Sequence, residues 1–533
     1  MRRAVATAVY FIVRAGVLAP MIDSMNVAWW VHRWSQINPD KPAVIFQGRT
    51  TTYAELHARA ESAACWLQEM GIEKGDRVAV LLENCPEFLE LYLACARLGA
   101  IFVPFNFRLA APEIDYLITN CRPRLLVFSQ GLAATVRPLD LAAYQPPLVA
   151  AVVGREPPPP GTLDYRGQVD GFAGRRPVLT ASLAPADPNE PQVIMYTSGT
   201  TGQPKGAVLS YRKTFFNCLN ANIFFKLRAD DTMLVILPLF HSGGLFIQAS
   251  PCLHQGGTII LHRRFKAERM FADIARHRVT KFLGVPTVYR RMLEAKQLGE
   301  TDLSSLQVSA IGGEKVTIDL LRRCWAAGFP ARQIMGQTET SILLWASEED
   351  GIRKPGTVGR PVFYAEIRLL DQDGRPVPTG QVGEIVVRGP VLMKEYWRDP
   401  ARTEAALRGG WLHTGDLARM DQDGYYYLVG RAKDMYISGG ENVYPAEVEA
   451  VLRRHPAVRD AVVVGVADPK WGESGHAFII RRDGQGVSAA ELRQYCREHL
   501  AGYKVPSRVS FCQDFPRTPL DKVRKFLLVQ QSG

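Results

Sequence analysis

The sequence predicts an α/β protein in two lobes, a large N-terminal lobe of several subdomains and a small α+β C-terminal lobe. Three observations lead there. The chain has 533 residues, more than one ordinary domain holds. From residue 26 to 430, helix-period and strand-like apolar segments alternate, the pattern of layered α/β folds. Residues 431–533 then carry a shorter strand and helix series of their own, after a 1–25 leader that fits neither lobe. In order, 53–70 reads as an amphipathic helix stopped by Gly71, and 77–82 as a buried strand. Residues 87–98 are helical again, closed by Gly99, before the strand Ile101–Pro104. A proline-rich stretch from Pro157 to Pro191 reads as an irregular surface excursion. Segments 193–196 and 207–209 are short buried strands. In the second lobe Pro445 starts a helix with Glu447 and Glu449 in its first turn and Arg453-Arg454 in its last. Residues 458–466 form a strand, and Ser488 with Glu491 makes a capping box for a helix ending at His499.

Composition narrows the function classes. Hydrophobic residues at 47% and charged residues at 22% are those of a globular protein. Nine scattered cysteines, an odd number with no CxxC pair, argue for reduced thiols in a cytoplasm and against a disulfide or zinc framework. Ten histidines form no HExxH cluster, which speaks against a transition-metal site. The formal charge of +11 suits anionic ligands. No basic run interleaved with aromatics supports a nucleic-acid partner. Arg2-Arg3 and the apolar run 4–13 are too short to span a bilayer, which needs about 20 residues. Residues 1–25 therefore read as a leader, compatible with a weak membrane-surface contact, or as a start misassigned ahead of Met21 or Met25. A homodimer is left open.

The segment Tyr196-Thr197-Ser198-Gly199-Thr200-Thr201-Gly202-Gln203-Pro204-Lys205-Gly206 has the makings of a polyphosphate cradle. Glycines let backbone N–H groups approach a phosphate, hydroxyls donate further hydrogen bonds, and Lys205 supplies charge. A Walker A loop needs its lysine directly after glycine and before a helix. Here Pro204 precedes Lys205 and a strand follows. A strand on each side can hold the loop in place.

This loop closely resembles the phosphate loop of the adenylate-forming (ANL) enzymes, the superfamily of acyl-CoA synthetases, luciferases and peptide-synthetase adenylation domains. Further motifs follow in the family's order, and the resemblance covers residues 26–530. Met335-Gly336-Gln337-Thr338-Glu339 is similar to the second nucleotide motif, with Met335 in place of the usual aromatic. The resemblance implies Thr338 on the α-phosphate and Glu339 on a Mg²⁺ that bridges phosphates, as a hard cation prefers. Gly312-Gly313-Glu314 resembles the glycine pair beside adenine and the acyl pocket. Trp411-Leu412-His413-Thr414-Gly415-Asp416 resembles the segment whose aspartate takes the ribose hydroxyls. Gly430-Arg431-Ala432-Lys433-Asp434 resembles the interdomain crossover, with Arg431 on the ribose and Lys433 as hinge. Ser438-Gly439-Gly440-Glu441 resembles the lining of the pantetheine tunnel for coenzyme A, and Trp471-Gly472-Glu473 is similar to the CoA-ligase branch. Pro516-Arg517-Thr518-Pro519-Leu520-Asp521-Lys522 resembles the terminal motif with its catalytic lysine, Asp521 standing where glycine is usual.

The implied activity is ATP-dependent ligation of a carboxylic acid to coenzyme A through an acyl-adenylate, releasing AMP and pyrophosphate. Lys522, Lys205, Thr338 and Glu339 would carry the first step. An adenylation enzyme for amino acids would need a carboxylate for the substrate's ammonium. The segment Pro238-Leu239-Phe240-His241-Ser242-Gly243-Gly244, where that family places it, has none. A degenerate nucleotide-binding protein is opposed by the joint presence of Lys205, Glu339, Asp416, Arg431 and Lys522. By motif position Phe240, His241, Gly243, Gly244, Ile311 and Gly312 would border the acid. Small glycines beside apolar walls favour a medium- or long-chain fatty acid, with aryl or cycloalkyl acids as the alternative.

Overall fold

The alternating segments of the large lobe build two mainly parallel sheets in the computed structural model. It describes residues 24–144, 148–154, 156–177, 187–197, 204–314, 316–438, 441–469, 471–517 and 523–530. Two compact units emerge by contact. One runs to Glu366 and includes Arg388–Gly410; the other joins Ile367–Val387 to Trp411 and everything after it.

In the first unit, a nine-stranded sheet has five strands side by side and parallel at its centre: Ala331–Gln337, Val308–Ile311, Lys281–Gly284, Thr232–Val235 and Thr258–Leu261. Parallel strands of this kind are buried on both faces, and Lys281–Gly284 and Val308–Ile311 are buried throughout. An eight-stranded sheet holds Arg77–Leu81, Ile101–Pro104 and Leu125–Ser129 in parallel. Its far side is the antiparallel hairpin Pro191–Thr197 with Lys205–Ser210, extended by the short strand Glu395–Tyr396. The helix Tyr53–Glu69 starts on a complete capping box at Thr52 and Glu55. Pro86–Leu98 ends on Gly99 in the left-handed conformation, φ 71°.

The second unit contains two sheets. Glu366–Leu370, Val382–Arg388, Trp411–Met420 and Tyr426–Arg431 form the first. An expected boundary at 430 would place this sheet in the large lobe; by contact it groups with the C-terminal residues. The second sheet centres on the long antiparallel pair Val458–Asp468 and Gly472–Arg481. Ala461, Val463, Ala477 and Ile479 pack under the helices Pro445–Leu452 and Ala489–His499. The alternate residues Val462, Val464, Phe478 and Ile480 pack with Phe515 and Leu528 on the other face. Among the described residues no helix is long and apolar enough to cross a membrane.

Glu449 departs from the sequence expectation. Only Glu447 lies in the first turn of Pro445–Leu452, whereas Glu449 points inward and is buried. Its carboxylate accepts from Lys525 Nζ at 2.7 Å and from the Val463 N–H at 3.0 Å, with Arg453 alongside. Burial pushes this carboxyl up, but Lys525, Arg453 and the hydrogen bonds outweigh it and hold the group below its ordinary range. A carboxyl depressed in the folded state stabilises above its unfolded pKa, and that gain fades as pH falls through the folded value. Glu449→Gln is therefore expected to cost about 3–5 kcal/mol near pH 7 by stranding Lys525. Thermal unfolding should show the gap to wild type narrowing at acid pH.

Candidate active site

The site of the first unit sits at the carboxyl ends of parallel strands, where open α/β sheets bind ligands. Neighbouring strands deliver successive motifs there. Thr232–Val235 leads to Phe240 and His241, Val308–Ile311 to Gly312-Gly313-Glu314, and Ala331–Gln337 to Thr338 and Glu339. From the other sheet, the hairpin turns over the phosphate loop with Thr197 opposite Lys205. Ser198, Gly199, Thr200, Thr201 and Gly202 lie outside the described residues.

Lys205 and Glu339 meet across the two sheets. Lys205 Nζ lies 3.5 Å from Glu339 Oε1 and donates to the Tyr396 hydroxyl at 2.5 Å. Tyr396 in turn donates to Glu339 Oε1 at 2.8 Å, while Lys205 Nζ sits 4.0 Å from the Tyr396 ring centre. Burial and then the Glu339 charge push the Tyr396 phenol well up, so it remains a donor. Nothing in the sequence marked Tyr396; its strand pairing with Ala207 brings it here. Lys213 also went unmarked. It is fully buried, and its Nζ donates to Ser341 Oγ at 2.6 Å and to the Thr338 carbonyl at 3.3 Å. Burial pulls its ammonium down to about 7 against the opposing pull of Glu339. Its signal was the spacing of Lys213, Asn217, Ala221 and Phe224, one buried face of a helix.

At the acyl end, the Gly243 N–H donates to His241 Nδ1 at 3.2 Å, which leaves Nε2 to carry the proton of the neutral ring. Phe240 is buried and edge-on to Phe107, ring centres 5.4 Å apart. Residues Gly243–Ala249 wind as a buried π-helical turn, held where Asn217 Nδ2 donates to the Phe246 carbonyl. Gly244 is needed for the approach of this turn, because a Cβ there would lie 2.3 Å from the Pro238 oxygen.

In the second unit, Asp416 and Arg431 stand opposite on paired strands, Arg431 Nε 2.9 Å from Asp416 Oδ1. Glu384 steadies that motif, accepting from the Gly415 N–H at 2.9 Å and facing His413 Nδ1 at 2.7 Å. Lys433 occupies the single turn Ala432–Asp434. Ser438 pairs with both Glu441 and Gly472, closing a hairpin whose Gly439 and Gly440 lie outside the described residues. Glu473 accepts from the Ile437 N–H at 2.8 Å. Lys522 is likewise outside them; Arg517 and Val523 pair on either side of its loop.

A fold with paired sheets, a hairpin-borne phosphate loop and a separate α+β unit defines an adenylate-forming enzyme. Residues 31–397 match the AMP-binding enzyme family, and residues 447–522 match the AMP-binding enzyme C-terminal domain. A feruloyl-CoA synthase of Amycolatopsis is 39% identical over 93% of this chain and 97% of its own. An indoleacetate–CoA ligase of Aromatoleum aromaticum is 38% identical over 94% and 97%. The o-succinylbenzoate CoA synthetase of Bacillus subtilis, solved with its acyl-adenylate intermediate, superposes with a TM-score of 0.82 at 32% identity, covering 94% of this chain and 97% of that one. The chain belongs to the AMP-binding enzymes and is an AMP-forming acid–thiol ligase, which joins a carboxylic acid to coenzyme A through an acyl-adenylate.

Proposed function

We propose that the acid is aromatic. What supports this is the pair of relatives at 39% and 38% identity, whose names specify feruloyl and indoleacetate groups. The buried Phe240–Phe107 edge contact beside His241 offers ring faces and edges of the kind an aryl acid favours. The fatty-acid reading rested on glycines leaving room for a tail. At Gly244 the missing side chain is used by the close passage of Pro238 instead.

In the first half-reaction a carboxylate oxygen bonds to the α-phosphorus and the bond to pyrophosphate breaks. Lys205, Lys522, Thr197 and Thr338 would stabilise the charge on the phosphate oxygens. The second forms the C–S bond as the CoA thiol displaces AMP from the acyl carbonyl. Ser438, Gly439, Gly440 and Glu441 would line the thiol's path, and Asp416 with Arg431 would hold the ribose. Among the described residues no group of three or more His, Cys, Asp or Glu could cage a metal. One buried carboxylate, Glu339, fits Mg²⁺, which binds through one or two carboxylates plus substrate phosphates. That ion would supply charge neutralisation at the phosphates.

A panel of hydroxycinnamic, indole-3-acetic and benzoic acids against octanoic and dodecanoic acids, read by AMP release with CoA, tests the substrate class. The aromatic acids are expected to exceed alkyl acids in kcat/KM by about tenfold or more, the worth of a good ring contact plus shape fit. A kcat/KM that instead climbs with each added pair of methylenes would favour the fatty-acid reading.

A further inference from the structure

The turn that carries Thr338 and Glu339 is held in a conformation the chain would not choose alone. Ser341 closes it with a left-handed backbone, φ 61°, rare for a residue with a side chain. Its carbonyl comes so close to Gly336 that a Cβ there would lie 1.8 Å away. Inside the turn, Thr340 Oγ1 accepts from the Gln337 N–H at 3.3 Å. Such strain persists where surrounding contacts over-determine it.

Lys213 supplies one of those contacts from beneath. It lies in the first turn of the helix Tyr211–Phe225, whose N-cap Ser210 accepts from the Lys213 N–H at 3.2 Å. That helix follows directly on Lys205–Ser210, the strand that begins with the phosphate-loop lysine. The buried Lys213 side chain passes 5.1 Å from the centre of the Phe246 ring and ends on Ser341 Oγ and the Thr338 carbonyl. An amine with no solvent around it is costly to bury. Here it ties the two ends of the turn, Thr338 and Ser341, to the element that carries Lys205. Glu339 lies between those two ends, itself buried and already gripped by Tyr396.

We infer that Lys213 is a positioning residue for Glu339, locking the 338–341 turn so that its carboxylate is presented to the magnesium of bound ATP. This rests on the reading of Glu339 as the magnesium carboxylate. Lys213 touches neither nucleotide nor acid in this role; it acts through the turn.

The test is ATP binding to the full-length enzyme by calorimetry, in EDTA and in excess Mg²⁺, for wild type, Lys213→Met, Glu339→Gln and Ser341→Ala. Lys213→Met keeps the length of the side chain and removes the donors. It is expected to bind ATP in EDTA within about twofold of wild type and to lose about tenfold of the Mg²⁺-dependent gain. In turnover, its apparent KM for Mg²⁺ in adenylation should rise by about the same factor, while thioester formation from a supplied acyl-adenylate stays near wild type. Ser341→Ala removes the hydroxyl partner and should move the same quantity in the same direction, so it carries the test should Lys213→Met fail to fold. A full Mg²⁺ gain in the folded variants, alongside a lost gain in Glu339→Gln, would overturn the role of Lys213. A full gain in Glu339→Gln would overturn the magnesium reading itself and the inference with it.

Discussion

Lys522→Ala is expected to slow acyl-adenylate formation by about a thousandfold, the scale of losing one preorganised donor from a charged transition state. The loop that bears Lys522 begins and ends on the Arg517–Val523 pair, with the Arg524 N–H on the Pro516 carbonyl at 2.7 Å. Three residues on, Lys525 is tied to Glu449. Removing the Lys522 side chain leaves these anchors untouched, so the loss falls on chemistry and not on folding. Given a synthetic acyl-adenylate and CoA, the variant should form thioester within about twofold of wild type, because that step breaks no bond to pyrophosphate. Single-turnover measurement of pyrophosphate release and of thioester formation separates the two. Equal losses in both would remove Lys522 from its proposed place in the first step.

Much of this architecture could be read in advance because it is local. Thr52 and Glu55 cap a helix through three residues of sequence, and Gly99 stops one by its own φ. Even the phosphate loop announced itself, since its flanking strands sit within a few residues of the glycines. Contacts that close over long separations were not legible. Tyr396 reaches Lys205 across 191 residues and Glu339 across 57, and only sheet order brings them together. Lys213 finds Ser341 across 128 residues. Its helical spacing marked a buried face but could not say what lay beneath. Glu449 shows the same gap on a smaller scale. Position in the helix suggested a partner for the helix dipole, whereas its inward direction made it the anchor of Lys525. The grouping of residues 411–431 with the C-terminal residues likewise depends on pairing with Val382–Arg388, which no spacing in the chain reveals.

Lys433→Pro should do the opposite of Lys522→Ala, sparing adenylation and impairing transfer to CoA. Lys433 is the middle residue of the short turn Ala432–Asp434, placed between the strand Tyr426–Arg431 of one sheet and Tyr436–Ser438 of the next. Proline fixes φ near −65° at its own position and pushes the residue before it, Ala432, out of the helical region. If two half-reactions share one site by turning the small lobe about this point, the backbone there must adopt two conformations, and proline permits one. Thioester formation is expected to fall by about a hundredfold, the cost of holding reacting groups about an ångström out of place. Adenylation should change by less than about threefold, since its proposed groups Lys205, Thr338 and Glu339 lie in the other unit. Lys433→Ala separates backbone from charge. It leaves φ free, so it should keep both rates near wild type where a pivot is what matters. A loss in Lys433→Ala matching that of Lys433→Pro would assign the effect to the ammonium. Equal losses of both half-reactions in Lys433→Pro would mean that no turning about residue 433 divides the two steps.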